Sequence, residues 1–380
     1  MIRTKLLGRR PLAGVRSALV ALVALLVAAL AVATGPAAAS AMAPAHAERR
    51  FTVMTYNVYL GANLQPLFAP VSDPLQLIQR AKDIFDHLDK VDFNVRAVAI
   101  AEQIIENDPD VIALQEVSLW RTALRSAPAE ITVRYDFLEI LLDELARQGH
   151  AYRTVSVSDN FSGRLPISLT TDGLYTDRNA IIVPVDEAVS GLITSNPMDG
   201  VFETSFPVSI GGNPIEVTRG WASTDVTIRG KTYRFFDTHV EAFDGRVRLG
   251  QVNELARIMS ESPYPVVLAG DINLYPMGVR PEDATTWDVL TRSGFADAWV
   301  RADCFEPRFT AGQTDDLDNV PSILDNTVDY VLFDGDDDLD AVEGSCDIAG
   351  EELDDRTNTV PALWPSDHAA VVVDLHIAKP

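Results

Sequence analysis

The sequence carries little positive charge for its length. Its 380 residues include 31 Lys and Arg against 55 Asp and Glu, which gives a formal net charge of −24 at pH 7. A field of this sign repels nucleic acids and anionic membranes at long range and favours divalent cations. The charge balance therefore disfavours a protein that binds nucleic acid through its general surface. It does not exclude a nuclease, because a bound metal ion and local side chains can still hold a phosphate.

The sequence also lacks a Gly/Ser or Pro linker, an internal repeat and a second long apolar run. Its one such run, residues 18–33, follows a basic N-terminal stretch and precedes a small-x-small site at Ala45-His46-Ala47. This layout is typical of a secretory signal peptide, and the run is shorter than the roughly 20 residues of a membrane-spanning helix. We therefore expect a cleaved signal peptide over residues 1–47, a secreted chain and a single domain over 48–380. The alternative is a retained membrane anchor.

Cysteine is scarce, with only Cys304 and Cys346. An even number of cysteines in an exported chain suggests a disulfide, and the alternative is a pair of buried free thiols. A disulfide between these positions would stabilise the fold by about 4 kcal/mol in the chain-entropy description. The two residues lack the spacing of a metal site, so we assign them no catalytic role.

The pattern of apolar residues divides the remaining chain between strands and helices. It predicts strands over residues 51–59, 111–115, 151–157, 179–185, 214–228, 232–239, 266–270, 326–333 and 368–377. It predicts helices over residues 93–107, 135–148, 246–260 and 282–292. The polar stretches 158–177 and 187–213 are predicted to be surface loops. Such a mixture indicates an α+β fold in which two central sheets are flanked by helices.

Polar and charged residues recur at the ends of these predicted strands. Strand ends at one edge of a pair of sheets can converge on a single pocket, so this recurrence indicates a functional site. The residues concerned are Asn57, Glu116, His239, Asp271, Asn273, Asp329, Asp367 and His368.

The segments around these residues resemble the endonuclease/exonuclease/phosphatase superfamily. They are TYNV, ALQEV, DTHVEA, LAGDIN, TVDYVLF and PSDHAAV, which follow one another in the order of the family between Thr55 and Val371. The family includes pancreatic-type deoxyribonucleases, abasic-site endonucleases, neutral sphingomyelinases and inositol polyphosphate phosphatases. The resemblance implies a four-layer α/β sandwich of two mainly antiparallel sheets, and a catalytic domain that hydrolyses phosphate esters.

The resemblance and the residue types together imply a metal site. Glu116 is the best Mg²⁺ ligand, because a carboxylate is the hard oxygen donor that this ion prefers. Asp367 and Asn57 would complete or adjust the metal shell. Mn²⁺ or Ca²⁺ could take the place of Mg²⁺.

The remaining motif residues are expected to carry the chemistry. His368 would pair with Asp329 and either orient water as a base or bind the phosphate as a cation. Asp271 would orient or deprotonate the attacking water, and Asn273 would donate a hydrogen bond to a phosphoryl oxygen. His239 would be a second donor, or an acid toward the leaving oxygen, although the sequence does not identify its acidic partner.

Arg178 is predicted to contact the substrate, because a guanidinium group suits a phosphate. It lies in the segment TDRNAII, where family members often place a polar group that contacts the substrate. The alternative is a surface arginine at a strand end. Arg219 and Trp221 could also lie near the site, but a structural role is favoured for both.

Three functions remain open, and the first is slightly preferred. It is a phosphodiesterase for a lipid head group or another small phosphodiester, similar to a sphingomyelinase, with transient contact to a membrane surface. Apolar residues 64–68, Trp120 and Trp364 would line a lipid pocket or belong to the core. The second is an extracellular nuclease, whose nearest basic row would be Arg121, Arg125 and Arg134. The third is a secreted binding protein without activity. The sequence indicates no protein partner.

Overall fold

A computed structural model describes residues 50–186, 191–228, 230–305, 307–334 and 339–377 of the chain. The predicted signal peptide, residues 1–47, lies outside the described residues. No helix within the described ranges is long and apolar enough to cross a membrane.

The described residues form sixteen strands, which are distributed from Arg50 to Ile377. These are β1 (Arg50–Asn57), β2 (Val111–Gln115), β3 (Leu119–Leu124), β4 (Ala127–Asp136), β5 (Tyr152–Pro166), β6 (Thr171–Pro184), β7 (Leu192–Val201), β8 (Phe206–Ile210), β9 (Asn213–Val217), β10 (Gly220–Ile228), β11 (Lys231–His239), β12 (Val266–Asp271), β13 (Phe295–Asp297), β14 (Asp329–Asp334), β15 (Leu339–Ala349) and β16 (Ala370–Ile377).

Fourteen of the sixteen described strands belong to two large sheets whose strand order mixes distant parts of the chain, and the other two form a small sheet. The first large sheet has the order β15-β16-β1-β2-β6-β3-β4, with β5 also paired to β6. The second has the order β13-β14-β12-β11-β10-β7, and β8 pairs with β9 in a separate hairpin. The pairs β1/β2 and β11/β12 are parallel, while the other recorded pairs are antiparallel. The predicted pair of mainly antiparallel sheets is confirmed.

Five of the described helices lie on the outer faces of the two sheets, and a short sixth helix packs Ala298 and Trp299 into the core between them. The helices of the described ranges are α1 (Pro74–Lys90), α2 (Phe93–Asn107), α3 (Phe137–Arg147), α4 (Gly245–Met259), α5 (Ala284–Arg292) and α6 (Ala298–Arg301). Short 3-10 helices span Gln65–Phe68, Pro281–Asp283 and Leu353–Asp355.

Alternation of side chains along the strands produces four layers. Val53 of β1 packs with β12 residue Val267 in the core between the sheets, whereas Met54 packs on the other face with α1, α2 and α3. On the outer face of the second sheet, Leu268 of β12 packs with Leu255 of α4 and with apolar residues of α5. Because successive residues of a strand point to opposite faces, each sheet separates two apolar cores. The result is the α+β sandwich expected from the sequence.

Two predicted loops are wrong, because both segments contain strands. Residues 158–177 belong to the long β5–β6 hairpin, whose two antiparallel strands are hydrogen-bonded to each other. Within 187–213, β7 and β8 replace the expected loop, while residues 187–190 lie outside the described residues. Ser, Asn, Asp and Gly favour turns locally, but cross-strand pairing overrides that preference.

Helix α1 was not predicted, although Asp73 caps it by accepting a hydrogen bond from Leu75 N and Pro74 occupies its first turn.

The predicted disulfide between Cys304 and Cys346 is confirmed, with the two Cα atoms 6.5 Å apart. It links the segment after α6 to β15.

Arg96 of α2 connects the segment that follows β1 with the segment that precedes β16. Its side chain is fully buried, and its guanidinium group donates hydrogen bonds to the carbonyl oxygens of Val91 (2.8 Å), Val58 (2.7 Å), Tyr59 (3.1 Å) and Pro365 (2.7 Å). Val58 and Tyr59 follow β1 directly, and Pro365 precedes β16. Arg96 therefore ties the exit of one strand to the approach of its neighbour.

We predict that Arg96→Met lowers the free energy of unfolding by about 3–5 kcal/mol, because buried carbonyls lose a charged donor. Arg257→Met is the matched control, since Arg257 is exposed on α4 and forms an ion pair with the exposed Glu261. Urea unfolding of both variants measures the difference. Equal losses in the two variants would contradict the role assigned to Arg96.

Candidate active site

The strand ends that carry the predicted site residues meet at one edge of the two sheets. In the second sheet, His239 at the end of β11 pairs with Asp271 of β12, which pairs with Asp329 of β14. In the first sheet, Asn57 ends β1 opposite Gln115, the residue before Glu116. Register along the sheets therefore brings residues from distant positions in the sequence to one place.

A cavity of about 700 Å³ opens at this edge. Asp329 lies behind His368 and is fully buried. The predicted site residues that line the cavity are Asn57, Glu116, His239, Asp271, Asn273, Asp367 and His368.

Three non-glycine residues at the cavity have left-handed backbone conformations. These are Tyr59 (φ 58°), Glu116 (φ 60°) and Asn273 (φ 47°). Such conformations are costly for side chains other than glycine and are retained where the surrounding structure imposes them, often at functional sites. Glu116 is also fixed by its side chain, because the backbone N–H of Leu60 donates to its Oε2 atom at 2.6 Å.

Asp271 is held by two neighbouring amide groups. The Asn57 side-chain nitrogen donates to Asp271 Oδ2 at 3.0 Å, and the backbone N–H of Asn273 donates to Oδ1 at 3.1 Å. The Asn273 side-chain nitrogen in turn donates to the carbonyl oxygen of Val240 at 3.0 Å. Asn57, predicted as a metal ligand, thus also positions the predicted base.

His368 and Asp329 form the expected pair. The Nδ1 atom of His368 lies 2.9 Å from Asp329 Oδ2, and its Nε2 atom lies 4.0 Å from Asp271 Oδ2. Burial alone would lower the pKa of His368, but the negative charges of Asp329 and Asp367 raise it well above its usual value. The ring is therefore a cation near neutral pH, with Nε2–H available in the cavity.

His239 has the opposite electrostatic environment. Burial, followed by the positive charges of Arg219 and His368, lowers its pKa well below the usual value. Its Nδ1 atom lies 3.3 Å from Arg219 Nη1, and its Nε2 atom lies 3.4 Å from Asp271 Oδ2. In a neutral ring that accepts from Arg219, Nε2 carries the proton. The acidic neighbour that the sequence did not identify is therefore Asp271, with Glu116 farther away at 3.9 Å from Nδ1.

The structure brings Arg219 into the cavity and keeps Arg178 out of it. Arg219 lines the cavity between Asp177, 3.4 Å from Nη1, and Glu241, 3.9 Å from Nε. Arg178 instead donates to the carbonyl oxygen of Val117 and forms an ion pair with Asp136. This placement does not support the predicted substrate contact of Arg178.

The alternation of side chains along β6 explains why Asp177 lines the cavity and Arg178 does not. Both residues lie in β6, where neighbouring side chains point to opposite faces, so the strand that presents Asp177 to the cavity turns Arg178 away. Sequence reasoning selected Arg178 for its charge and passed over Asp177. The orientation of Asp177 is not visible in the local sequence, because it depends on the pairing of β6 with β2, β3 and β5.

Several carboxyl groups of the cavity have raised pKa values, because they are buried close to one another. Burial, together with the charges of Asp367 and Asp177, raises the pKa of Glu116 to about 8. Burial and the charge of Asp329 raise the pKa of Asp271 to about 7, and burial also raises the pKa of Asp367. Protons or a cation must therefore neutralise this group.

The donor set fits a hard divalent cation. Carboxylate and amide oxygens are the ligands of Mg²⁺, Mn²⁺ and Ca²⁺. Glu116, Asp367 and Asn57 all line the cavity. A second group that could hold a metal ion consists of Asp271, Asp329 and His368, whose ligand atoms lie within 4.8 Å of one another.

Sequence comparison identifies the same region of the chain. A model of the Endonuclease/Exonuclease/phosphatase family matches residues 54–368, a range that contains every predicted residue of the cavity. Among curated proteins, no sequence relative is detected.

Solved structures share the fold at low sequence identity. An endonuclease/exonuclease/phosphatase family protein from Bacteroides thetaiotaomicron is 18% identical, with a TM-score of 0.55 over 88% of this chain and 100% of its own. A mannosyl-6-phosphatase from the same species is 16% identical, with a TM-score of 0.50 over 86% and 99%. TDP2 from D. rerio, in complex with a single-strand DNA product, is 14% identical, with a TM-score of 0.50 over 86% and 99%. These likenesses establish the fold alone.

The raised carboxyl pKa values predict that the metal-free protein loses stability between about pH 6.5 and pH 8. Folded Glu116 and Asp271 retain protons in this window, with pKa values of about 8 and 7, whereas the unfolded chain has already released them. His368 retains its proton as well, since its folded pKa is raised. The folded protein then binds more protons than the unfolded chain, so the free energy of unfolding falls as pH rises.

Glu116→Gln should make this pH dependence shallower, because one titrating group is removed. Denaturant unfolding in EDTA across the window measures the slope, with Glu261→Gln, at an exposed position just after α4, as the control. Identical slopes in the wild type and Glu116→Gln would show that Glu116 titrates normally in the fold.

Proposed function

The chain belongs to the endonuclease/exonuclease/phosphatase family, and on that premise we propose that it is a secreted, metal-dependent phosphodiesterase. Its preferred substrate is a lipid head group or another small phosphodiester, as for a sphingomyelinase. The observation that carries this proposal is the cluster of buried carboxylates beside the cationic His368 in one cavity. Hydrolysis of a phosphate ester needs an activated water, charge neutralisation on the phosphoryl oxygens and help for the leaving group. The disulfide is typical of exported proteins and supports secretion.

Glu116, with Asp367 and Asn57, would hold the divalent cation. When bound, the cation supplies positive charge that polarises a phosphoryl oxygen and neutralises developing negative charge. Asp271, Asp329 and His368 are the competing group for the same ion. The hydrogen bond between His368 Nδ1 and Asp329 favours a different role for that group, because it orients the ring as a donor.

The other residues would bind the phosphate and move the proton. Asp271 has a pKa of about 7, which suits a base that removes a proton from the attacking water near neutral pH. His368 Nε2–H and Arg219 would donate hydrogen bonds to phosphoryl oxygens. His239, neutral and protonated at Nε2, would donate toward the leaving oxygen, and Asn273 would complete the set of donors.

Charge around the cavity supports a small substrate over a nucleic acid. The basic row that a nuclease would use is engaged elsewhere, since Arg125 pairs with Asp172 and Arg134 pairs with Asp89. Arg121 donates to the hydroxyl group of Thr176. The cavity wall instead adds carboxylates at Asp177, Glu241 and Asp315. A polyanion would meet repulsion along such a wall.

The names of the structural neighbours do not choose among substrates. One is a mannosyl-6-phosphatase and another, TDP2, is in complex with a single-strand DNA product. A shared fold supports many phosphate substrates, and the site must decide among them. Direct comparison of substrates is therefore the decisive experiment.

We predict that residues 48–380 hydrolyse bis(4-nitrophenyl) phosphate with Mg²⁺ or Mn²⁺ and not with EDTA. Asp271→Asn and His368→Ala should each reduce kcat by about 10²–10⁴-fold, the usual contribution of a positioned proton-transfer group. His150→Ala, an exposed histidine after α3, is the control and should retain full activity.

Supercoiled plasmid is the competing substrate in the same assay. Metal-dependent nicking that disappears in Asp271→Asn, at a rate above that of the small diester, would establish the nuclease alternative. Hydrolysis that persists in EDTA, or in both site variants, would overturn the assignment of the catalytic groups.

A further inference from the structure

The cavity extends well beyond the groups that would hold a phosphate, and its extension is apolar. We call this extension the apolar arm. It begins beside Glu116, where Leu60 donates its backbone N–H to the carboxylate and places its side chain on the cavity wall. Half-buried apolar side chains continue the wall, among them Leu64, Leu77, Phe161, Leu165, Ile210 and Ile215.

Three separate parts of the chain build the apolar arm. The 3-10 helix Gln65–Phe68 and α1 form one side, the β5–β6 hairpin forms another, and the β8–β9 hairpin forms the third. The β8–β9 turn packs tightly on α1, since a Cβ added at Gly211 would lie 2.8 Å from a Leu77 methyl carbon. Gly211 also has a φ of +58°, so a side chain there would be strained as well.

The β8–β9 hairpin has one apolar face, and that face borders the cavity. Phe206, Ile210, Ile215 and Val217 are half-buried and line the cavity, whereas the intervening Glu216 is exposed. A two-stranded hairpin is marginally stable alone and needs an apolar surface to pack against. In this hairpin, part of the apolar face lines the open cavity, where water would solvate it poorly.

We propose that the apolar arm binds a hydrocarbon chain of the substrate, so that the natural phosphodiester is an amphiphile whose chain enters the protein. This inference rests on the proposed phosphoesterase function and specifies its substrate class. The chain is the occupant that fits, because the apolar arm is continuous with Glu116 and the phosphate-binding groups. A cavity of about 700 Å³ lies in the size range of pockets that enclose a whole small ligand.

This proposal differs from hydrolysis of a head group at a membrane surface. In that alternative the chains stay in the bilayer and the apolar residues only touch it. Binding inside the cavity instead allows a dissolved monomer to be a good substrate, because its chain is enclosed by the protein. The two therefore predict different behaviour for soluble substrates of increasing chain length.

The test uses methyl, butyl and octyl esters of 4-nitrophenyl phosphate, below the concentration at which they aggregate. Each buried methylene contributes about 0.8 kcal/mol, which corresponds to roughly a threefold to fourfold rise in kcat/KM per methylene until the apolar arm is filled. The octyl ester should therefore exceed the methyl ester by at least 100-fold if half of its methylenes are buried, on the same constant. Release of 4-nitrophenolate measures the ratio.

Ile215→Asp should lower the octyl-to-methyl ratio by about tenfold or more, because a charge in the apolar arm opposes entry of the chain. Ile215→Ala gives a milder change that is easier for the fold to tolerate. Val300→Asp is the matched control, since Val300 is 66% exposed on α6 and does not line the cavity. The control should keep the wild-type ratio.

Binding provides a readout that does not depend on turnover. Calorimetric titration in EDTA with octyl phosphate and butyl phosphate should show tighter binding of the longer chain to the wild type. The same preference should be weakened in Ile215→Asp and Ile215→Ala.

The outcomes separate this inference from the function on which it rests. An active enzyme with equal kcat/KM for methyl and octyl esters would overturn the apolar arm and leave the phosphodiesterase intact. Hydrolysis of lipid vesicles without any preference among soluble esters would indicate surface contact and would also overturn it. If no diester is hydrolysed, the proposed function fails, and equal calorimetric affinities for the two alkyl phosphates would remove the apolar arm as well.

Discussion

Burial of several carboxylates at one edge of two sheets is the constraint on which the rest of the structure depends. Burial raises the pKa of Glu116, Asp271 and Asp367, so these carboxylates cannot all be ionised near neutral pH without compensating charge. The protein supplies part of that charge through the imidazolium of His368. The remainder is left to protons or to a divalent cation, which connects the electrostatics of the fold to the proposed chemistry.

The fold creates this constraint by construction. Both sheets end their central strands at the same edge, so the residues that follow each strand must share one cavity. Left-handed backbone at Glu116 and Asn273 fixes two of them, and Arg96 ties the segments that follow β1 and precede β16. On another side of the same cavity, apolar side chains form the apolar arm.

The fold and the strand-end residues of the cavity were predictable from the sequence, because these depend on local patterns. Buried strands followed by a polar residue are visible in segments such as VIALQE and VVLAGDIN. Features that depend on long-range pairing were missed. The orientation that favours Asp177 over Arg178, the strands within 158–177 and the neighbours of His239 all follow from register between distant strands. Helix α1 is different, since its cap and apolar spacing were present in the sequence.

We propose that the buried carboxylates hold a divalent cation at Glu116. Anomalous diffraction from crystals of residues 48–380 soaked in Mn²⁺ tests this proposal most directly. We expect a peak within bonding distance of the Glu116 carboxylate, at about 2.0–2.3 Å, and its loss in Glu116→Gln. A peak bound only by Asp271, Asp329 and His368, or no peak in the cavity at saturating Mn²⁺, would contradict it.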